Sequence, residues 1–157
     1  MLLKLAEELS LGAPVDEVWK LLRETPRLAG LLPGVESVAP LPEEGKEAYA
    51  AKVSDRIGPF KITMNLEVRI TEAVEPSLLK AALKGADSMG LNRVTGSLQI
   101  ALRPTLAGTQ MNFEASMEVL GKLATLGAVP IRRRTTQVFA EFAKNIQGQF
   151  AAGASAV

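Results

Sequence analysis

Residues 131–150 read IRRRTTQVFAEFAKNIQGQF, and Ile131, Val138, Phe139, Phe142, Ile146 and Phe150 fall at the three-and-four spacing of one helical face, with Thr135 beside them. Arg133, Gln137, Glu141, Lys144 and Gln147 fill the opposite side. This is an amphipathic helix whose apolar side must be covered. Between residues 45 and 120 the chain reads as long alternating strands with almost no other helix, so the natural cover is a sheet wrapped around it.

Working outward, the strongest strand signal is Phe60, Ile62, Met64, Leu66, Val68 and Ile70, alternating with Lys61, Thr63, Asn65, Glu67 and Arg69. The same phase continues through Leu79, Ala81 and Leu83, then Val94, Leu98, Ile100 and Leu102, then Met111, Phe113, Ala115, Met117 and Val119. Tyr49, Ala51 and Val53 carry it on the strand before, and Val35 to Ala39 make a weaker one. Pro40 to Gly45, Pro76, Gly90 and Gly108 mark short hairpins, the first a polar tip. Runs this long twist and curl, and a curled sheet makes a trough matching a helix of about 30 Å.

The N-terminal part opens with a strand whose face, Leu3, Leu5, Leu9 and Leu11, is broken by Glu7. Gly12-Ala13-Pro14 ends it. Asp16 and Glu17 start a short helix with Val18, Trp19, Leu21 and Leu22, closed by Pro26. A second short helix through Leu28, Leu31 and Leu32 stops at Pro33-Gly34. The expected architecture is α+β: a curved seven-stranded antiparallel sheet around a long C-terminal helix, with two short helices after the first strand. It forms one domain over 1–151, with 152–157 a flexible small-residue tail.

The chain of 157 residues has no His and no Cys. That removes the usual zinc and copper sites, thiol nucleophiles, Ser-His-Asp triads and disulfides. Lysine, carboxylate and tyrosine chemistry remain. A net charge of +1 exerts no pull on nucleic acid. No apolar run is long enough to span a membrane, and the first residues do not read as a signal peptide. A cytoplasmic protein is expected, peripheral at the inner face of the membrane if it meets one.

The segments Ala13-Pro14 before Val18-Trp19, Leu32-Pro33-Gly34, Gly58-Pro59-Phe60, Gly108-Thr109 and Gly121-Lys122-Leu123-Ala124-Thr125-Leu126-Gly127 occur in an order and spacing that resemble the G-subunit family of carbon monoxide dehydrogenase. That family lies within the START-like superfamily of birch-pollen-allergen type, whose fold is the helix-grip. The resemblance implies a non-catalytic accessory of a molybdenum-containing dehydrogenase. It also implies an apolar cavity between sheet and helix, and a role at the membrane or in handling a lipophilic electron acceptor such as a quinone. Longer relatives extend beyond the final helix, and the small residues of 151–157 are not expected to anchor anything.

Ala51, Ala81, Gly85, Gly96 and Ala115 on the inward face admit two readings: they leave room for a ligand, or they let the helix pack close. The resemblance favours the cavity. Its expected wall is Leu31, Leu32, Phe60, Met64, Leu66, Leu83, Ile100, Met111, Phe113, Leu123, Leu126, Phe139 and Phe142. Met64, Met89, Met111 and Met117 would supply adaptable surfaces. A ligand would enter between the Leu31-Leu32-Pro33 corner, the Phe60 turn and the segment from Leu123 to Ile131. With almost nothing ionised on such a wall, the ligand is expected to be apolar, a quinone or another lipid, with no covalent cofactor and no metal.

Tyr49 and Asp87 are candidate polar contacts to a ligand, although Asp87 lies close to a turn and also reads as a solvated rim residue. Arg132, Arg133 and Arg134 oppose the dipole of a helix starting at Pro130. Either an earlier helical segment begins near Lys122 and Pro130 kinks it, or the cluster meets an anionic membrane or partner surface. Two alternatives to the carrier stand. One is a packed protein-interaction module. The other is a lyase or cyclase working through Glu7, Asp87 or Tyr49, for which no catalytic constellation is evident.

Overall fold

The computed structural model describes residues 1–42 and 47–155, excepting the side chains of 151–155. Glu43, Glu44 and Gly45 of the first hairpin tip, and the last two residues of the tail, lie outside the described residues. The elements follow as β1 (Leu2–Leu11), α1 (Val15–Arg23), α2 (Thr25–Ala29), β2 (Val35–Leu41), β3 (Ala48–Ile57), β4 (Phe60–Val74), β5 (Leu78–Ala86), β6 (Asn92–Thr105), β7 (Gly108–Gly121), a 3-10 turn (Lys122–Leu126) and α3 (Ala128–Ser155). The seven strands form one sheet in the order β1-β7-β6-β5-β4-β3-β2. Every neighbouring pair is antiparallel. This is the helix-grip arrangement.

The period-two pattern sets the register. Leu3 stands opposite Met117, which stands opposite Gly96; Leu5, Ala115, Leu98 and Ala81 make the next concave row. Lys4, Ser116, Ser97 and Ala82 alternate onto the convex side. β4, β6 and β7 run to 15, 14 and 14 residues. A register shift between Ile70 and Glu72 bends β4, as an extra residue in one strand of a pair does.

Gly85 and Gly96 do not make room. A Cβ on Gly96 would stand 2.3 Å from the Ser116 carbonyl oxygen, and one on Gly85 would stand 2.8 Å from that of Asn65. The missing side chains let neighbouring backbone come close where the sheet coils.

α1 follows Pro14, holds Asp16 and Glu17 in its first turn and Lys20 and Arg23 in its last, and buries Val18, Trp19, Leu21 and Leu22. Pro26 does not close α1: it lies in the first turn of α2, where a residue without an N–H costs nothing. α1 and the C-terminal half of α3 plug one end of the trough, packing Phe142 and Ile146 with Leu9, Leu102 and Met111. Asn145 donates to the Leu31 carbonyl at 2.9 Å, and Arg27 to Gln149 at 3.1 Å, so α3 is also tied to the α2 corner.

α3 runs from Ala128 to Ser155, longer at both ends than the 131–150 read from the apolar spacing. The segment from Lys122 is helical but separate, since Gly127 divides it from α3. Pro130 is the third residue of α3, still in the turn whose N–H groups have no intrahelical partner, and so it kinks nothing. Arg132, Arg133 and Arg134 therefore sit beyond the first turn, where the opposing dipole has largely faded.

Candidate functional site

The two ends of the trough are filled differently. Around the middle of α3, Phe113 and Phe139 stack at 5.6 Å between ring centres, and Phe139 and Phe142 at 6.1 Å, closing the space there. Beneath the start of α3 a smaller cluster of Leu3, Val119, Leu123 and Ile131 is buried. Next to it the concave faces of β3 and β4 stay half-exposed at Val53, Ile62, Met64 and Leu66. A cavity of about 170 Å³ lies there. It is bounded by these four and Ile57 on the β3–β4 wing, by Leu3, Val94, Met117 and Val119 on the sheet floor, and by Leu123, Ile131 and Thr135 under the helix. Asp55 and Arg93 complete its edge.

Of the residues expected around a cavity, Met64, Leu66 and Leu123 line this one. Ile100, Met111 and Phe142 are buried in the main core, with Leu31, Phe113 and Phe139 packed against it. Leu126 packs on the smaller cluster. Leu83 sits half-buried on the floor opposite Gly96 and Val68, and Phe60 is half-buried at the hairpin, paired with Ile57. Leu32 is exposed on the corner after α2. Met89 is no wall residue: it projects from the β5–β6 turn, 79 % exposed. The site thus lies toward the β3–β4 hairpin end, because the aromatic side chains of α3 consume the volume at its centre.

The polar candidates separate. Tyr49 is half-buried opposite Val68 on β3, away from the cavity lining. Glu7 faces inward opposite Phe113 on β1. Asp87 caps the β5–β6 turn: its carboxylate accepts the Leu91 N–H at 2.7 Å and the Asn92 side-chain N–H at 2.9 Å. Partial burial would raise its pKa, but the hydrogen bonds from Asn92, Leu91 and Gly90 outweigh it and hold the carboxyl below its ordinary value. Asn92 in turn accepts the Leu123 N–H at 2.6 Å. Asp87 and Asn92 thereby hold the 3-10 turn over the cavity, a structural task. Glu7, Tyr49 and Asp87 sit on three different parts of the sheet and form no common site.

The arginine cluster resolves into separate roles, because residues two apart on a helix point to nearly opposite sides. Arg132 donates to the Lys4 carbonyl at 2.8 Å on edge strand β1. Arg134 reaches the other way to Asp55 on β3, with Nε 3.1 and 2.9 Å from the two carboxylate oxygens and Nη2 2.8 Å from one. The Asp55 hydrogen bond keeps the Arg134 guanidinium above its ordinary pKa, against its partial burial. Arg133 is exposed. Two of the three arginines thus strap α3 across the trough, and Asp55, the partner of Arg134, lies at the cavity's edge.

Sequence reasoning did not single out Asp55. The signal was present: Val53, Asp55 and Ile57 share the inward phase of β3, as Glu7 shares that of β1. A larger groove of about 580 Å³ crosses the convex face beside Lys4, Lys80, Ser97 and Glu114. It belongs to the polar phase of the strands and is an unlidded surface hollow, so the smaller apolar cavity is the better candidate for a ligand.

The CoxG family of carbon monoxide dehydrogenase subunits matches residues 8–151. No curated protein sequence matches the chain. Among solved structures the chain is similar to a conserved protein from Geobacillus kaustophilus, with 26% identity over 96% of each chain and a TM-score of 0.84. A START superfamily protein from Mycobacterium smegmatis is similar at 10% identity, 96% of this chain, 97% of that one and a TM-score of 0.67. The di-domain ARO/CYC StfQ of the steffimycin biosynthetic pathway is similar at 14% identity, 99% of this chain, 52% of its own and a TM-score of 0.67. The last two share the fold.

Proposed function

The chain belongs to the CoxG family of carbon monoxide dehydrogenase subunits, and from that premise we propose that it is a non-catalytic accessory that holds part of an apolar molecule in the cavity beneath the start of α3. The observation that carries this reading is the lining itself, apolar at every position but Asp55, Arg93 and Thr135. Burying alkyl or isoprenoid carbon there stabilises a complex by about 0.8 kcal/mol per methylene, so affinity needs no strong polar anchor. The volume, about 170 Å³, is below the few hundred Å³ typical of small-molecule pockets. A quinone or acyl lipid would therefore insert one segment and lay the rest along the half-exposed faces of β3 and β4. The enzyme served would be a molybdenum-containing dehydrogenase of the carbon monoxide dehydrogenase type.

Transient contact with a membrane belongs to the same reading. Among the described residues no helix is long and apolar enough to cross one. Leu2, Met89, Leu91, Leu120 and Val129 are large apolar side chains exposed at the end of the sheet that holds the cavity. The segments forming that end, 55–62, 86–93 and 118–134, carry seven Lys and Arg against three Asp and Glu. Apolar tips in a basic surround suit an anionic bilayer, from which a lipid is delivered or withdrawn.

Native mass spectrometry of the protein purified without detergent, followed by solvent extraction, tests the proposal. A stoichiometric quinone or lipid is the expected result. An apo mass with no uptake of added menaquinone or fatty acid would overturn it in favour of a packed interaction module, the reading that the aromatic filling of the central trough supports.

A further inference from the structure

If the cavity holds an amphiphile, as proposed above, its wall also specifies the head group. Asp55 lies on the concave-facing phase of β3 and, with Thr135 of α3, interrupts an otherwise apolar surface. The Asp55 carboxylate is already committed. It takes Nε and Nη2 of Arg134, and its Oδ1 also accepts the Arg56 backbone N–H at 2.8 Å. The Thr135 hydroxyl donates to the Ile131 carbonyl, so its hydrogen is spent. A guanidinium has five N–H groups. Those of Arg134 go to Asp55 through Nε and Nη2, and to Gln137 through Nη1 at 3.3 Å, leaving two without a partner among the described residues.

The pair is therefore neutral in sum, and the member of it that lines the cavity is Asp55. An ester head group adds no charge beside it. A carboxylate would bring a second negative charge beside the half-buried Asp55, where one arginine cannot balance both. Arg93 also borders the cavity, but it stands on the convex-facing phase opposite Ala86 and Leu120 and is exposed, so water and salt screen its charge. We propose that the Asp55–Arg134 pair selects the head group of the ligand, admitting neutral amphiphiles and rejecting carboxylates of the same chain length.

The test is displacement of the neutral dye Nile red from the full chain by dodecanoate and by its methyl ester, at about pH 8, where a carboxylic acid is ionised. The ester is expected to displace the dye at a concentration about tenfold lower than the acid. In Asp55→Asn, Arg134 loses its counter-charge, and the preference is expected to shift toward dodecanoate by a similar factor. The ratio between two ligands of equal chain length is the readout, because a merely looser α3 would weaken both alike. Should Asp55→Asn fail to fold by circular dichroism, Arg134→Gln replaces it; it leaves Asp55 unbalanced and should widen the preference for the ester. Equal displacement by acid and ester, or ratios unmoved in the variants, would overturn the selection while leaving the cavity reading intact. No dye uptake by the wild-type protein would overturn both.

Discussion

Gly121 ends β7 with φ 99, and a Cβ placed there would stand 1.8 Å from the Leu91 carbonyl oxygen. That oxygen accepts the Lys122 N–H at 3.2 Å, the first link between the β5–β6 turn and the segment over the cavity. Backbone strain and backbone collision coincide, and neither can be relieved by turning a side chain. Gly121→Ala is expected to cost about 2–3 kcal/mol in urea unfolding, whereas Gly148→Ala on α3, with open space around its Cβ, is expected to be neutral or stabilising. Equal effects would show that the approach of these two segments is not a constraint.

Asp87 makes a second prediction at this scale. Hydrogen bonds hold its folded pKa below the ordinary value despite the opposing effect of partial burial. A depressed carboxylate contributes stability that is present above the unfolded pKa and is lost as pH falls through the folded one. Asp87→Asn should therefore be less stable than the wild type at neutral pH, with the gap closing below about pH 4. Denaturant midpoints of the two proteins measured across that range check the sign. A gap that stays constant into acid would mean that the charge of Asp87 plays no part in holding the turn.

The elements divide α3 into an anchoring half and a roofing half. Phe142 and Ile146 are buried against α1 and the sheet, so Ile146→Ala is expected to cost about 2–5 kcal/mol. Leu66 is half-exposed on the cavity wall, and Leu66→Ala should cost distinctly less, about 1 kcal/mol, while changing dye binding. Comparable losses in urea unfolding would mean that the roofing half is packed as tightly as the anchor. The anchoring half was legible in the sequence because its signal is periodicity: Phe142, Ile146 and the alternating strands each had one apolar face and no other place to put it. That β2 to β7 are antiparallel neighbours in chain order followed from the same alternation and short hairpins, whereas the pairing of β1 with β7 joins strands too far apart in sequence for any hairpin to signal.

The roofing half was less legible, for physical reasons. The volume left between helix and sheet depends on where large side chains meet across elements far apart in sequence. Phe113, on β7, closes the trough only because Phe139 stands over it. Small residues were a poor guide to space, since Gly85 and Gly96 serve backbone approach. The arginine run was ambiguous for the same reason: nothing local distinguishes Arg132, bound to the Lys4 carbonyl, from Arg134, bound to Asp55.

At the scale of the whole molecule, charge and exposed apolar surface are unevenly placed. The cavity end holds seven basic and three acidic residues, which leaves eleven against fourteen for the rest of a chain whose net charge is only +1. The weak overall charge conceals one attractive end and one repelled by an anionic surface. Binding to an anionic bilayer should then be oriented, placing Met89, Leu91, Leu120 and Val129 toward the headgroups with the cavity directly behind them. Each Lys or Arg near such a surface is worth about 1 kcal/mol, and the attraction falls off within a Debye length.

In a vesicle flotation assay the protein should rise with phosphatidylglycerol-containing vesicles, less with phosphatidylcholine alone, and less again as salt increases. Arg133→Gln, which removes one cation, should weaken flotation by about fivefold, and Arg133→Glu, which also adds an anion, by more. Met89→Ser combined with Leu120→Ser should weaken it at every salt concentration, because it removes the apolar component. Leu106→Ser, at the exposed β6–β7 turn of the opposite end, should leave it unchanged. Flotation indifferent to lipid charge, or as sensitive to Leu106 as to Met89 and Leu120, would mean that the cavity end is not the face presented to the bilayer.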